Sequence, residues 1–308
     1  MIVRWELDEL SGVLAEIGIE RPFLVASPRW EAPVDVAGRW SEIPSHRAQV
    51  EGDADGILAI GGGSAIDTAK ALSASTALPL VSVPTTYSGA EWTTFFGIRD
   101  RERKMRGGGS GARPAGIVYD VALTLDLPRH VTGGTAMNAL AHCCEALYVQ
   151  GRDPGADAVA LAGAELISAS LPLVLENGRD VAARTELLKG AASGGEALGR
   201  SGLALGHAMA QAIGGAYGLS HGALNAVCLP PALRFNSEFV PPGLLAGRAA
   251  ERAEELSRLA GFTTLSALGV PEDDLPRLAE SIAQRPGARA NPRPATSADV
   301  ERLLRSIW

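Results

Sequence analysis

Two side chains that could hold a metal ion or a substrate oxygen stand four positions apart in GGTAMNALAHCCEALY, residues 133–148. They are Asn138 and His142. An α-helix places residues i and i+4 one above the other, so both side chains would face the same point. An imidazole is a good metal ligand, whereas an amide oxygen brings no negative charge to a divalent cation. The pair predicts either half of a metal site or the remnant of a site that has lost its charged ligand.

A glycine-rich turn lies in ILAIGGGSAIDTAKAL, residues 57–72, between an apolar run and a helical pattern. Glycines let the backbone approach a phosphate, and a helix N-terminus offers unpaired amide hydrogens and the positive end of its dipole. The sequence predicts that this turn binds a pyrophosphate through Gly61, Gly62, Gly63 and Ser64. The pattern is neither GxGxxG nor the Walker motif, so an ordinary tight turn between a strand and a helix stays open.

A second run of small polar residues, VPTTYSGAEWT at 83–93, follows the next apolar strand. Its hydroxyl groups belong to Thr85, Thr86 and Ser88. Ligands of open α/β sheets bind at the carboxyl ends of the strands, so two such loops after successive strands favour a nucleotide crevice. On the helix after the glycine turn, Asp67 is a further candidate for cofactor binding, or it forms only a solvated pair with Lys70.

Short apolar runs and helical patterns alternate in the first part of the chain, as is typical of a doubly wound, mainly parallel sheet. The predicted strands are residues 22–27, 56–63, 78–86 and 116–120, and the predicted helices are 7–18 and 64–75. From Thr135 onward there are helical patterns only, at 157–176, 180–198, 202–214, 221–235, 242–260, 272–284 and 297–307. We therefore predict an α/β, Rossmann-like dinucleotide-binding domain over residues 1–128 and an all-α helical domain over residues 129–308.

Charge and composition argue against several classes of function. The formal net charge is −7, and the one basic cluster, RDRERKMR at 99–106, contains two acidic residues. We therefore expect a solvated hairpin there, and neither a nucleic acid nor a membrane as a partner. No basic leader is evident, and no apolar run is expected to reach the roughly 20 residues that cross a bilayer. Cys143, Cys144 and Cys228 make no disulfide or zinc pattern. We expect a cytoplasmic protein with buried thiols.

Four motifs in a fixed order carry a resemblance to a known family. They are GGGSAIDTAK (61–70), PTTYSGAE (84–91), NALAHCCEALY (138–148) and GHAMAQAIGGAYGLSHG (206–222). Together they resemble the iron-containing alcohol dehydrogenase superfamily, which has the dehydroquinate-synthase-like fold. Within it, PTTYSGAEWT, ALTLDLP, MNALAH and NPRP are most similar to the maleylacetate reductase branch. Members of that branch reduce the enone double bond of a dicarboxylate with NADH or NADPH.

The resemblance implies a role for each candidate residue. For the cofactor, the implied residues are Gly62, Gly63 and Ser64 at the pyrophosphate, Thr85, Thr86 and Ser88 near the ribose and nicotinamide, and Lys104 on the nicotinamide side. The metal-dependent branch uses one aspartate and three histidines, and the corresponding residues here are Asn138, His142, His207 and His221. Three histidines could still hold Fe²⁺ or Zn²⁺. The maleylacetate reductase branch, however, also carries asparagine and is regarded as working without metal, which favours a metal-free site.

Two features depart from the family pattern. Both branches usually have a second histidine four residues after His207, which is often regarded as a proton carrier. Here the residue is Gln211, which cannot carry a proton at neutral pH. The stretch between the first and second predicted strands of the α/β domain is about 28 residues long, shorter than in relatives. We therefore expect the proton relay and the adenine side of the cofactor site to differ from those of the family.

Three functions stay open on the sequence alone. The first is an NAD(P)H-dependent oxidoreductase resembling maleylacetate reductase, with Arg106 and Arg293 as candidates to bind the carboxylates of a small substrate. The second is a metal-dependent alcohol or aldehyde dehydrogenase that uses Fe²⁺ or Zn²⁺. The third is an NAD(P)-binding protein with little turnover. The resemblance also implies a homodimer formed through the first domain.

Overall fold

The structure is a computed structural model that describes residues 1–102 and 104–308. These residues cluster into two compact units, Met1–Leu125 (unit 1) and Asp126–Trp308 (unit 2). Unit 1 is built on a parallel sheet and unit 2 is helical, so the predicted fold class is confirmed. The sequence places the change of class at residue 128, close to the division between the units.

Parallel pairing dominates unit 1. In chain order its strands are β1 (Ile2–Trp5), β2 (Pro22–Ala26), β3 (Gly38–Trp40), β4 (Gly56–Gly61), β5 (Leu80–Pro84), β6 (Phe96–Arg99), β7 (Met105–Gly109) and β8 (Pro114–Tyr119). Six of them form a parallel sheet in the order β1-β8-β5-β4-β2-β3, and β6 and β7 form an antiparallel hairpin. The sequence predicted β2, β4, β5 and β8. It missed β1 and β3 because both are short and carry a charged side chain instead of an apolar run.

The two α-helices of unit 1 pack against different faces of the sheet. α1 (Leu10–Ile17) shares an apolar cluster with Leu58 and Ile60 of β4, and α2 (Gly63–Thr76) shares another with Ile57 and Ala59. Alternate residues of a strand point to opposite faces of the sheet. β4 is therefore apolar on both faces, and its carboxyl end leads directly into the glycine-rich turn.

Unit 2 contains nine α-helices among the described residues. They are α3 (Arg129–Ala146), α4 (Asp157–Glu176), α5 (Val181–Ser201), α6 (Leu205–Tyr217), α7 (His221–Phe235), α8 (Ala249–Leu259), α9 (Leu275–Ala283), α10 (Pro286–Arg289) and α11 (Ser297–Ser306). α3 packs against α4, α5 and α7, and almost all of its residues from Thr132 onward are buried. A helix that is buried on every side is not amphipathic. Its sequence pattern therefore does not predict which helix will pack against which of its faces.

The expectation about apolar runs is wrong for one segment. Residues Pro154–Glu176, which include α4, are long and apolar enough to cross a membrane by length and composition alone. Half of the apolar window in this segment is buried inside the structure, where α4 packs on α3 and α5. The core helix of a globular domain has the same composition, so the segment is weak support for a membrane span. The three cysteines are free and buried, as predicted.

Candidate active site

Three histidines from three different helices meet inside unit 2. The ring centroids of His142 and His207 lie 4.8 Å apart with an interplanar angle of 15°, and those of His207 and His221 lie 5.6 Å apart. His142 is 3 % exposed and His207 only 1 %. We call these three residues, with Asn138, the histidine cluster. The sequence named all four as one site, and the structure brings them together.

Helix geometry explains how the cluster forms. Asn138 and His142 are one turn apart on α3, and His221 is the first residue of α7, directly after the capping Ser220. A Cβ atom added to Gly222 would lie 2.5 Å from the backbone of Gly134. Only glycine allows α7 to begin in backbone contact with α3, and this contact brings the first turn of α7 onto the turn of α3 that precedes Asn138.

A buried carboxylate holds the third histidine. Glu145 of α3 is 0 % exposed, and its Oε2 lies 2.9 Å from Nδ1 of His207. The same carboxylate accepts hydrogen bonds from the backbone N–H groups of Ala204 (2.7 Å) and His207 (3.1 Å). These N–H groups belong to the N-terminus of α6, where no side chain of the capping residue itself forms a bond. A remote side chain therefore caps α6 and fixes its histidine at once.

A buried amide joins the other two helices of the cluster. Nδ2 of Asn225, one turn after His221 on α7, donates to Oδ1 of Asn138 at 2.7 Å. It also lies 3.1 Å from Nε2 of His221. An amide nitrogen carries two hydrogens and no lone pair for bonding, so both contacts are satisfied if Asn138 Oδ1 and His221 Nε2 act as acceptors. The amide therefore ties α3 to α7 through the atoms that a metal would need.

The cluster does not fit a metal ion as it stands. Two of the four candidate ligand atoms, Asn138 Oδ1 and His221 Nε2, already face a hydrogen-bond donor. The four candidate side chains, moreover, bring no formal negative charge to a dication. Within residues 1–102 and 104–308, no group of three or more His, Cys, Asp or Glu side chains is arranged to hold a metal. We therefore derive no chemistry through a metal here.

What the cluster offers is a set of buried polar atoms that face no protein partner. In the described part of the chain, His142 Nδ1, His207 Nε2 and Asn225 Oδ1 have no hydrogen-bond partner. Buried polar atoms without partners are rare and costly, and a ligand oxygen or hydroxyl group would satisfy them. Burial, followed by the neighbouring His207 and His221, keeps the pKa of His142 well below its usual value. The imidazole of His142 is therefore neutral at physiological pH, and it would contact a ligand through a hydrogen bond and not through a charge.

The glycine turn and the hydroxyl-rich loop meet in unit 1. Thr85 N–H donates to the carbonyl of Gly61 at 3.0 Å, and a Cβ atom on Gly62 would lie 2.8 Å from Thr86 Cγ2. A Cβ atom on Gly63 would lie 3.3 Å from Ser88. The two loops, at the carboxyl ends of the adjacent strands β4 and β5, are therefore in direct contact, which is the arrangement that ligand sites of open sheets use.

This part of unit 1 also fits a pyrophosphate by its donors. Gly62 is the N-cap residue of α2 and offers no side-chain cap, and the first turn of α2 has no acidic residue. The hydroxyl oxygens Thr85 Oγ1 and Thr86 Oγ1 are buried and have no partner among residues 1–102 and 104–308. The N-terminus of a helix beside unpaired hydroxyls suits an anionic oxygen. We call this region the phosphate loop pair.

The interpretation of Asp67 and Lys70 as a solvated pair is wrong. Lys70 is 1 % exposed, and its Nζ donates to Thr93 Oγ1 and to the carbonyl of Phe95, both at 2.7 Å, and lies 3.2 Å from Asp67 Oδ1. Asp67 also accepts from the backbone N–H of Gly97. Burial lowers the pKa of Lys70 and raises that of Asp67, while each opposes the shift of the other. The pair ties α2 to the chain around β6, and a cofactor role for Asp67 stays a prediction.

Other predicted residues lie away from these groups or are already engaged. Lys104 precedes β7, is mostly exposed and pairs with Glu102 at 2.5 Å, so its catalytic role stays a prediction. Arg106 pairs with Asp100 at 2.5 Å, and Arg293 stacks over the ring of Phe235. One member of the basic run, residue 103, lies outside the described residues.

Sequence reasoning missed Glu145 and Asn225. Both carried a signal, because Glu145 stands three residues after His142 in an apolar stretch, and Asn225 stands four residues after His221. A charged or amide residue on the same helical face as a candidate histidine is a candidate partner for it. Their actual partners, however, lie on other helices. Gln211, by contrast, is one turn beyond His207 on α6 and exposed.

Comparison with known families gives two matches along the chain. Residues 132–308 match the Fe-containing alcohol dehydrogenase family, C-terminal. Residues 41–121 match iron-containing alcohol dehydrogenase. These two segments contain the histidine cluster and the phosphate loop pair, respectively.

Individual proteins give the same result. Maleylacetate reductase 1 of Rhodococcus opacus is 34% identical over an alignment that covers 83% of this chain and 73% of its own length. Maleylacetate reductase of Burkholderia cepacia is also 34% identical, with 83% and 74% covered. The crystal structure of maleylacetate reductase from Agrobacterium tumefaciens superposes with a TM-score of 0.88 at 27% identity, covering 100% of this chain and 95% of that one.

Proposed function

Since this chain belongs to the iron-containing alcohol dehydrogenase family, we propose that it transfers hydride from NAD(P)H to a small dicarboxylate substrate without a bound metal. It is an NAD(P)-dependent oxidoreductase that resembles maleylacetate reductase. The acceptor group in the proposal is an enone or a carbonyl, as the name of those relatives suggests. The proposed setting is the cytoplasm, and the proposed assembly is a homodimer.

The phosphate loop pair supports the cofactor part of this proposal. Gly62 and Gly63 let the glycine turn lie directly against Thr86 and Ser88 beside the N-terminus of α2, and the hydroxyls of Thr85 and Thr86 are available as donors. Bound there, NAD(P)H would supply the hydride, and the protein would supply orientation and charge stabilisation. Ser88, against Gly63, would complete the wall of the site.

The observation that carries the substrate part is the pair of unpartnered ring nitrogens, His142 Nδ1 and His207 Nε2, on rings 4.8 Å apart. Reduction of an enone or a carbonyl adds a hydride and a proton, so a group near the substrate oxygen must hold and release a proton. His207 meets this need at Nε2, because the carboxylate of Glu145 on Nδ1 compensates the charge of the protonated ring. His142, held neutral by burial, would bind and orient the substrate oxygen.

The metal-free form of the proposal follows from the amide of Asn225. A dication placed among Asn138, His142, His207 and His221 would have to displace that amide from two acceptor atoms and would meet no carboxylate among the four residues. In the proposed reaction, imidazole and amide groups do by hydrogen bonding what a Lewis acid does in metal-dependent enzymes.

One assay tests the proposal. Protein without a histidine tag is treated with a chelator, checked for metal, and then assayed for oxidation of NADH and NADPH in the presence of maleylacetate. We expect turnover in metal-free protein, and a loss of at least about 100-fold in kcat/KM for His207→Asn, because general acid catalysis contributes about that much. His130→Asn is the matched control, since His130 is exposed on α3.

Two other outcomes would replace the proposal. Activity that requires about one equivalent of iron or zinc per chain would identify a metal-dependent dehydrogenase. Binding of NADH without its oxidation by maleylacetate, by other enones or by aldehydes would identify a nucleotide-binding protein with little turnover, the function that Gln211 in place of histidine favours.

A further inference from the structure

Glu145 is engaged more fully than a helix cap requires. Its two carboxylate oxygens accept from Ala204 N–H and His207 N–H and contact Nδ1 of the His207 ring, within 2.7–3.1 Å. The side chain is 0 % exposed and lies one turn after His142 on α3. Two backbone bonds suffice to cap α6. The third contact is to the imidazole of His207, which the proposed function places at the substrate.

That contact determines which ring nitrogen carries the proton. A carboxylate can only accept hydrogen bonds when ionised, so Nδ1 of His207 must be protonated to face it. In the neutral ring Nε2 then has the lone pair, and Nε2 is the buried atom that has no partner within the described residues. The hydrogen bond of one ring nitrogen therefore decides whether the other nitrogen carries a proton or a lone pair, as it does in metal sites and in serine proteases.

The surroundings leave the carboxylate little freedom to move. A Cβ atom on Gly206 would lie 2.7 Å from Glu145 Oε1, so the carboxylate fits against the backbone of the first turn of α6. The helix dipole favours a negative charge at this position. His207 is the third residue of α6, so its ring can fold back toward the same carboxylate that binds its backbone.

We propose that Glu145 is a positioning residue: it holds His207 in the tautomer protonated at Nδ1, so that proton exchange with the substrate takes place at Nε2. Its effect on rate rests on the proposed function, because that function places Nε2 of His207 at the substrate. Its effect on the tautomer does not, because it follows from the contacts of Glu145 alone. The two parts are measured separately.

The tautomer is measured directly by NMR of the full-length protein with ¹⁵N-labelled histidine, using long-range correlations between ring protons and ring nitrogens. In the native chain we expect the His207 signals, assigned by their loss in His207→Asn, to show a proton on Nδ1. Glu145→Gln leaves one accepting oxygen where the carboxylate has two, so it cannot accept from Ala204 N–H, His207 N–H and a proton on Nδ1 together, and we expect the ring protonated at Nε2 to appear. A native chain with the proton on Nε2 alone would overturn the proposal, even if no variant folds.

The kinetic arm uses the same variants in the reductase assay. We expect Glu145→Gln to lower kcat by about 10²- to 10⁴-fold with little change in KM for NADH, since a wrong histidine tautomer in a serine protease costs about 10⁴. Glu145→Asp keeps the charge and should restore part of the rate. Glu165→Gln, an exposed glutamate on α4, is the control that should leave kcat unchanged.

A double-mutant cycle separates positioning from simple structural support. If Glu145 acts through His207, adding Glu145→Gln to His207→Asn should lower kcat no further, because both changes remove the same function. The proposal would be overturned if the fold-losses in kcat of the two single variants multiplied in the double variant and the tautomer were unchanged in Glu145→Gln. Glu145 would then only cap α6. The expected tautomer in a protein with no reductase activity would uphold the structural part and refute the proposed function instead.

Discussion

The two candidate sites of this protein are built by opposite means. The phosphate loop pair in unit 1 consists of backbone and small hydroxyls, and its shape depends on the absence of side chains at Gly62 and Gly63. The histidine cluster in unit 2 consists of large buried side chains, and its shape depends on bonds among them, from Glu145 to His207 and from Asn225 to Asn138. The geometry of the phosphate loop pair is set by the path of the backbone, whereas the geometry of the histidine cluster is set by hydrogen bonds between side chains.

Because they are built differently, the two sites should be sensitive to different kinds of substitution. A site built from backbone should be insensitive to isosteric changes of charge and sensitive to any added atom, because an added Cβ at Gly62 or Gly63 would push apart two loops that are in contact. A site built from side chains, such as the histidine cluster, should be sensitive to isosteric changes of charge. A change of one atom in a buried polar network alters which groups donate and which accept, while the packing volume stays the same.

The largest expected effect comes from returning one charge to the histidine cluster. Asn138→Asp replaces an amide by an isosteric carboxylate one turn from His142 on α3, so binding of Zn²⁺ or Fe²⁺ should strengthen by about 100-fold or more. Metal analysis of tag-free protein after equilibration with metal and desalting measures this. The control is Asn177→Asp, which makes the same change at an exposed residue after α4 and should leave metal content unchanged. Equal metal content in Asn138→Asp and the native chain would show that the missing charge is not what prevents binding.

A smaller but clear effect should come from adding a methyl group to the phosphate loop pair. In Gly62→Ala the new Cβ atom would lie 2.8 Å from Thr86 Cγ2, so the hydroxyl loop must move. We expect the Kd for NADH to rise by about tenfold, roughly 1.4 kcal/mol, measured by fluorescence titration. Gly12→Ala is the control, because Gly12 on α1 has no atom within 4 Å of the added Cβ position. Unchanged affinity in Gly62→Ala would mean that the cofactor binds elsewhere.

The last expected effect is on stability against pH. Burial holds the pKa of His142 well below the usual value of about 6.5, so below about pH 6.5 the unfolded chain binds a proton that the folded chain does not. The contribution of His142 to the free energy of unfolding should therefore be constant above pH 6.5 and fall as the pH drops, by up to about 1.4 kcal/mol per unit until the lowered pKa is reached.

Denaturant titrations of the native chain and of His142→Gln at pH 5 to 8 measure that contribution as the difference in slope. His130→Gln, which removes an exposed histidine from the same helix, should keep the native slope. Parallel curves for the native chain and His142→Gln would show that His142 takes up a proton as readily in the folded chain as in the unfolded chain.

Local patterns in the sequence were sufficient to predict much of this protein. The runs that became β2, β4, β5 and β8 are apolar because both faces of the sheet are covered, and β4 and β5 lead into the two loops of the phosphate loop pair. The spacing of Asn138 and His142 predicted a shared helical face, since helix geometry depends only on residues four apart. The resemblance then added His207 and His221, which no local spacing connects to that pair.

Several features depended on contacts that no local pattern contains. Glu145 and His207 are 62 positions apart, and Asn138 and Asn225 are 87 apart. The sequence could not show that Lys70, three residues after Asp67, is buried beneath Thr93 and Phe95. Burial depends on which segments fold over a side chain, and that is a property of the whole unit.

Residue types and short spacings were enough to predict the order of the elements and the glycine turn, and the resemblance to the family identified the missing carboxylate at position 138. The tertiary structure alone decided that Asn225 faces Asn138 and that Glu145 faces His207, and thus which ring nitrogens remain available. The direction of a hydrogen bond depends on which donors and acceptors meet, and packing of α3 against α6 and α7 brings these together.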